Sequence, residues 1–129
     1  MLAAPTRVAR FLETRDGALP AQAFARSGVV ILENFAPYIF AGPGAVERWQ
    51  SGMLEHLQGL SELKHAFGPA QDFAQSGELA YVSLPTTWRG VARGQRFVET
   101  GGWSFVLVRE DGDWRVRAYA WAVTGLRAE

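Results

Sequence analysis

The feature that most constrains the fold is a pair of long apolar segments separated by a tight turn. GWSFVLVRE ends at Glu110 and WRVRAYAWAVT begins at Trp114, so Asp111-Gly112 lies between two segments rich in β-branched and aromatic residues. Asp-Gly in this position is a strong signal for a hairpin with a type I′ turn. The sequence therefore predicts two long antiparallel strands over residues 103–124, which form the scaffold for the rest of the chain.

The preceding sequence predicts three helices and several further strands. Apolar spacing predicts helices at residues 5–16, 19–26 and 46–57, and strands at residues 29–35, 63–73, 79–89 and 95–109. The order of helix, helix, strand, helix and then a series of strands indicates an α+β fold, with the helices on one face of a curved antiparallel sheet. Gly101-Gly102 predicts a bulge or bend at which this sheet curls.

Composition limits the size and the partners of the protein. At 129 residues we expect a single domain over residues 1–129. Thirteen basic and thirteen acidic residues cancel, and no basic cluster is present, so neither nucleic acid nor an anionic membrane is an expected partner. Cysteine is absent, which agrees with a cytoplasmic location, and no apolar segment approaches the roughly 20 residues that cross a bilayer.

Several well-known catalytic motifs are missing from the sequence. It contains no Gly-rich phosphate loop after a strand, no HExxH, no Cys/His ligand set and no GxSxG. We therefore expect no cofactor and no metal site.

Glu33 is the first candidate for chemistry. In a regular strand its side chain shares a face with Val29, Ile31 and Phe35, where burial would raise the pKa of the carboxyl and make it a general acid or base. The alternative is structural, because a bend can turn Glu33 toward solvent or an arginine can pair with it.

His65 is the second candidate, as a proton shuttle that Asp72 could orient. Gly68-Pro69 separates the two residues, and a structural histidine at the rim is the alternative. His56 is expected on the solvent side of the third helix. Glu99 either faces the pocket as a second acid or faces outward toward Arg115 or Arg117, and the sequence favours the outward orientation slightly.

Aromatic residues are numerous enough to line a hydrophobic site, although core packing explains them equally well. Alternation along the last strand places Arg117, Tyr119 and Trp121 on one face, and we expect that face to contact a partner subunit. A bulge would reverse this assignment for every residue beyond it. The residues expected to line the pocket are Trp49, Met53, Phe67, Asp72, Tyr81, Trp88 and Trp103.

Two segments carry a family resemblance. VVILENFAPYIFAGPGAVERW, followed by a strand-rich half that ends in DGDWRVRAYAWAV, resembles the NTF2-like superfamily, also called SnoaL-like or ketosteroid isomerase-like. The resemblance implies a cone-shaped α+β barrel, an apolar pocket for a small hydrophobic molecule and a homodimer that packs through the sheet. Neither the Tyr and Asp set of the isomerases nor the His pair with Asp and Tyr of the dehydratases aligns with this sequence.

The functional expectation is a small-molecule-binding protein with acid-base chemistry of the isomerase or dehydratase type, in which Glu33 acts with help from His65 or Tyr38. The alternative is a non-catalytic module that uses the same fold for ligand binding, dimerisation or protein interaction.

Overall fold

The predicted hairpin lies at the centre of the sheet in the computed structural model, which describes residues 1–129. Asp111 and Gly112 have φ values of 51° and 82°, as a type I′ turn requires, and Glu110 pairs with Asp113. The helices are α1 (Ala3–Thr14), α2 (Leu19–Ala23) and α3 (Ala45–His56); the strands are β1 (Val30–Leu32), β2 (Ile39–Phe40), β3 (Leu60–Phe67), β4 (Asp72–Ser76), β5 (Leu79–Ala92), β6 (Gln95–Glu110) and β7 (Asp113–Ala128).

The seven strands form one sheet in the order β2-β1-β7-β6-β5-β3, with β4 also paired to β5. Strands β5, β6 and β7 form the expected antiparallel meander, but β1 runs parallel to β7. The segment predicted as one irregular strand over residues 63–73 belongs to two strands, β3 and β4. Gly68-Pro69 lies in the interruption between them, and both strands pair with β5. The α+β fold class is confirmed.

The helices cover one face of this sheet. Helix α1 buries Val8, Phe11 and Leu12, as its spacing predicts, and ends at Arg15 in the left-handed conformation. Helix α3 buries Trp49 and Met53 against the same core. One contiguous core of 25 buried residues joins the helices to the sheet. None of the three helices has the length and apolar character needed to span a bilayer.

Two bulges in β7 decide which side chains face the core. Leu107 pairs with Val116 and Val106 pairs with Ala118, so Arg117 is an extra residue and the alternation reverses beyond it. The prediction that Tyr119 and Trp121 share an outer face with Arg117 is therefore wrong. Tyr119 is 3% exposed and points inward, whereas Arg117 is exposed and donates from Nε to the carbonyl oxygen of Gly28.

The second bulge lies beside Gly101, where a bend was expected. Gly101 pairs with Val123 and Thr100 pairs with Gly125, so the extra residue is on β7 rather than on β6. A Cβ atom at Gly101 would lie 2.5 Å from the indole ring of Trp121, which means that glycine is required for this ring to pack against β6.

Candidate active site

Glu33 follows β1 directly, and its side chain points into the protein. Val29, Ile31 and Glu33 are buried whereas Val30, Leu32 and Asn34 are exposed, so the alternation predicted from the sequence holds through the end of the strand. Both hydrogen bonds of the carboxylate end on Oε2. Trp49 Nε1 donates to it at 2.9 Å, and the Tyr119 hydroxyl donates to the same oxygen.

The other oxygen of Glu33, Oε1, has no donor in the protein. If Oε1 were fully buried, it would be a buried polar atom without a hydrogen-bond partner, and Trp103 Nε1 is the only such side-chain atom in the protein. Oε1 is therefore accessible, although the Glu33 residue as a whole is only 9% exposed. Since Glu33 lines an internal cavity, Oε1 is reached from that cavity. The carboxylate is thus held at one oxygen and free at the other.

Burial raises the pKa of Glu33 to about 7. The hydrogen bonds from Trp49 and Tyr119 oppose this effect because they favour the charged form, and the negative charge of Glu99 adds to it. Burial and the neighbouring Glu33 raise the pKa of Tyr119 well above its usual range, so its phenol remains a donor. Glu33 therefore exchanges a proton near neutral pH, as a general base must.

The cavity has a volume of about 90 Å³ and lies between β1, α1, α3 and the inner face of the sheet. Four of its lining residues are polar, namely Glu33, Asn34, His56 and Glu99. The remainder are Leu12, Phe35, Met53, Leu57, Leu60, Leu63, Trp88, Phe97, Trp103 and Trp121.

Glu99 faces this cavity, so the outward orientation favoured from the sequence is wrong. Every second residue of β6 from Phe97 to Trp103 faces the inside of the protein, and Glu99 is one of them. Glu99 forms no ion pair with Arg115 or with any other residue. Burial raises the pKa of Glu99 as well. The cavity thus contains two carboxyl groups whose pKa values are both raised by burial.

His56 lies at the border between solvent and the cavity. It is exposed, as expected, but its ring stacks on Phe35 with centroids 4.4 Å apart, and it lines the mouth of the cavity. Partial burial lowers the pKa of His56, so the imidazole is neutral at neutral pH. Asn34 and Phe35 lie beside Glu33 at the same mouth, and none of these neighbours was singled out from the sequence for the site.

Three of the seven predicted pocket residues line the cavity, and four do not. Met53, Trp88 and Trp103 line the cavity, and Trp49 lies behind it, where its indole positions Glu33. Phe67 is half-buried and contacts the rings of His65 and Trp103 without lining the cavity. Asp72 and Tyr81 do not belong to the site: Asp72 is exposed on β4, and Tyr81 faces the outer side of β5, where its hydroxyl lies 3.3 Å from Ser104 Oγ.

His65 lies next to the cavity without lining it. Glu13 on α1 accepts hydrogen bonds from both the backbone N–H of His65, at 2.8 Å, and Nδ1, at 2.7 Å. Because a carboxylate accepts, Nδ1 is the ring nitrogen that carries a proton and donates to Glu13. Glu13, and not Asp72, orients His65; α1 brings it there from 52 residues away in the chain.

Tyr38 contributes its backbone but not its hydroxyl to the region. Its carbonyl oxygen accepts the N–H of Glu33 at 3.0 Å, while its side chain is 61% exposed. Tyr38 has a positive φ of 72° in the turn between β1 and β2, which directs the ring away from the cavity. The expected role of Tyr38 as a partner of the Glu33 carboxyl is therefore wrong, and Tyr119 occupies that position instead.

A curved sheet covered by three helices, with an apolar cavity that contains two carboxyl groups, defines a class of small α+β proteins with an internal pocket. A family model described as a SnoaL-like domain matches residues 3–120. The chain belongs to this SnoaL-like family. Comparison with curated protein sequences gives no match.

Solved structures share the fold at low sequence identity. The protein Kfla4162 from Kribbella flavida superposes with a TM-score of 0.83 at 12% identity, over 98% of this chain and 89% of that one. A hexachlorocyclohexane dehydrochlorinase from Novosphingobium barchaimii gives 0.79 at 9% identity, over 98% and 85%. A protein provisionally named scytalone dehydratase from Novosphingobium aromaticivorans gives 0.77 at 13% identity, over 98% and 83%. At these identities the comparisons establish the fold alone.

Proposed function

We propose that this protein is an acid-base enzyme that removes a proton from carbon in a small, largely apolar molecule, with Glu33 as the general base. The observation that carries the proposal is the state of Glu33, a buried carboxyl with a pKa of about 7 and one free oxygen in an apolar cavity. A base is most effective when its pKa lies near the working pH. Isomerisation and elimination both begin with such a step.

The hydrogen bonds around Glu33 support this role. Trp49 and Tyr119 hold Oε2 in place from two directions, so Oε1 meets the substrate in a fixed orientation. Neither donor can accept a proton from Glu33: an indole N–H is a donor only, and the Tyr119 phenol is already protonated. A proton taken up by Glu33 therefore leaves through Oε1 into the cavity, where the reaction intermediate, the leaving group or water receives it.

The structural relatives agree with this class of chemistry. Two of them are named as a dehydrochlorinase and, provisionally, as a dehydratase, and both names describe eliminations in which carbon loses a proton. The cavity volume of about 90 Å³ is smaller than the ~150 Å³ cavity that accepts benzene in an engineered protein. On this scale the part of the substrate that enters is about four heavy atoms in size.

Hydrogen-deuterium exchange at carbon tests this function without the natural substrate. Butanone and aminoacetone share a five-heavy-atom skeleton with acidic C–H groups, and ¹H NMR in D₂O follows the exchange of each. The wild type should accelerate exchange of at least one of them, and Glu33→Gln should reduce the rate to the uncatalysed background. Glu62→Gln, an exposed acid on β3, is the matched control and should retain the wild-type rate. Background rates in the wild type would instead favour a non-catalytic ligand-binding module.

We also propose that the protein forms a homodimer through the outer face of the sheet. This face carries Val30, Leu32 and Tyr81, all exposed, around a shallow apolar depression that also includes Ala118 and Ala120. Exposed apolar groups that are contiguous on a sheet are typical of an interface. The partner surface is thus formed by exposed side chains of β1, β5 and β7 rather than by the rings of Tyr119 and Trp121.

A further inference from the structure

The charges around the cavity are unbalanced. Glu33 and Glu99 both line it, and no lysine or arginine does. Asn34 is neutral, and partial burial lowers the pKa of His56, which keeps that ring uncharged. Arg127 shares the shallow groove outside the mouth with Glu99, but no ion pair joins the two. The two carboxyl groups therefore have no cation of the protein as a partner inside the cavity.

Five of the fourteen residues that line the cavity are aromatic. Trp103 lies at their centre, with ring centroids 6.1 Å from Trp88 and 5.8 Å from Trp121. Aromatic faces attract cations electrostatically, and cages of such rings with a nearby carboxylate recognise organic ammonium groups. The five rings that line the cavity belong to Phe35, Trp88, Phe97, Trp103 and Trp121.

We propose that this cavity binds a small protonated amine, whose ammonium group donates to Glu33 Oε1 and to the Glu99 carboxylate while its alkyl body packs against the indole rings. That this amine is a substrate, and not only a ligand, rests on the proposed function. Binding itself requires only the cavity and the two carboxyl groups.

Other ligand classes fit the same surroundings less well. An anion would be repelled by the two carboxyl groups once they ionise, and a neutral molecule would bring no positive charge to offset theirs. A metal ion would need further ligands, and nowhere in the chain do three or more His, Cys, Asp or Glu side chains form a group that could hold one. An ammonium group supplies three donors and one charge, which match the free oxygens of Glu33 and Glu99.

The ammonium group would also prepare the base. A positive charge close to Glu33 and Glu99 favours their ionised forms, so binding releases protons. Each carboxylate oxygen has two lone pairs, so Oε1 accepts the ammonium N–H with one and the carbon-bound proton with the other. The other titratable groups near the pair are Tyr119, His56, Arg127 and His65 with its partner Glu13, and none of them forms a hydrogen bond or an ion pair with Glu99.

A matched pair of ligands tests the inference. tert-Butylammonium chloride and 2-methylpropan-2-ol have the same five-heavy-atom shape and differ in charge, and their binding at pH 8 is followed by NMR shifts of the tryptophan indole protons. We expect the ammonium ion to bind at least about tenfold more tightly than the alcohol, as charge-assisted hydrogen bonds imply. Glu99→Gln and Glu33→Gln should each weaken its binding about tenfold, whereas Glu62→Gln, whose carboxylate is exposed, should not change it.

The outcomes separate the two proposals. Equal affinity for the ammonium ion and the alcohol, binding of neither compound, or an equal loss in Glu62→Gln would overturn the inference. If the ammonium ion binds through Glu99 but no Glu33-dependent exchange occurs at carbon, the inference stands and the proposed enzyme function fails. If Glu33-dependent exchange of butanone occurs but the ammonium ion does not bind, the enzyme function stands and the inference fails.

Discussion

Glu33→Gln removes a buried acid and keeps the shape of its side chain, so it isolates the energetic cost of the charge. In the unfolded chain the carboxyl has a pKa near 4.5, whereas burial raises the pKa of Glu33 to about 7 in the folded protein. Between these two pH values the folded state keeps a proton that the unfolded state has released, so the contribution of Glu33 to stability is lost as pH rises. The difference of about 2.5, at about 1.4 kcal/mol per pKa unit, makes this loss roughly 3 kcal/mol above pH 7.

The variant has no such linkage to protons, since an amide does not titrate. Relative to the wild type we therefore expect Glu33→Gln to have similar stability at pH 4.5 and to be more stable by about 3 kcal/mol at pH 8. Urea unfolding followed by tryptophan fluorescence at pH 4.5, 6, 7 and 8 measures both values. Glu62→Gln serves as the control, because its exposed side chain should give the same small difference at every pH.

A different pattern would refute this reasoning. If Glu33→Gln were less stable than the wild type at every pH, then Glu33 would be a structural acceptor for Trp49 and Tyr119, and its burial would have no catalytic meaning. A protein that retains a buried acid at a net cost to stability is instead paying for function, as strained active sites commonly do.

Three further predictions concern the surroundings of the base and the outer face. Tyr119→Phe removes a hydrogen bond that lowers the pKa of Glu33, so the midpoint of the pH-exchange profile should rise; a midpoint that stays in place would contradict the contact. Glu99→Gln removes a negative charge that raises the same pKa, so the midpoint should fall, and a rise would refute the coupling. Leu32→Arg puts a charge on the proposed dimer face and should convert a dimer to a monomer in sedimentation velocity; a wild type that is already monomeric would rule the dimer out.

Much of the fold follows from local sequence signals. The turn at Asp111-Gly112 depends on two adjacent residues that adopt positive φ, and the flanking strands depend on residues that are neighbours in the chain. The inward orientation of Glu33 was predictable for the same reason, since it follows from alternation over seven residues. These parts of the structure needed no long-range information.

The rest of the site depends on contacts between distant segments. Tyr119 reaches Glu33 across 86 positions, and the bulge at Arg117 that turns it inward leaves no composition signal in β7. Glu13 orients His65 because α1 packs on β3, a contact that no spacing in either segment reveals. Alternation along β6 leaves two possible orientations for the Glu99 side chain, toward the cavity or toward the outer face of the sheet. Only the way the sheet curves around the cavity decides between them.

Glu33 can act as the proposed base only if its carboxyl titrates with a pKa near 7, and a carboxyl titration tests this most directly. Protein labelled with ¹³C at the glutamate carboxyl carbon is titrated by NMR from pH 3 to pH 9, and the Glu33 signal is assigned by its absence in Glu33→Gln. We predict a midpoint of about 7, set by burial in the cavity. A midpoint near 4.5 would show that the carboxyl is solvated, and would contradict its role as the base.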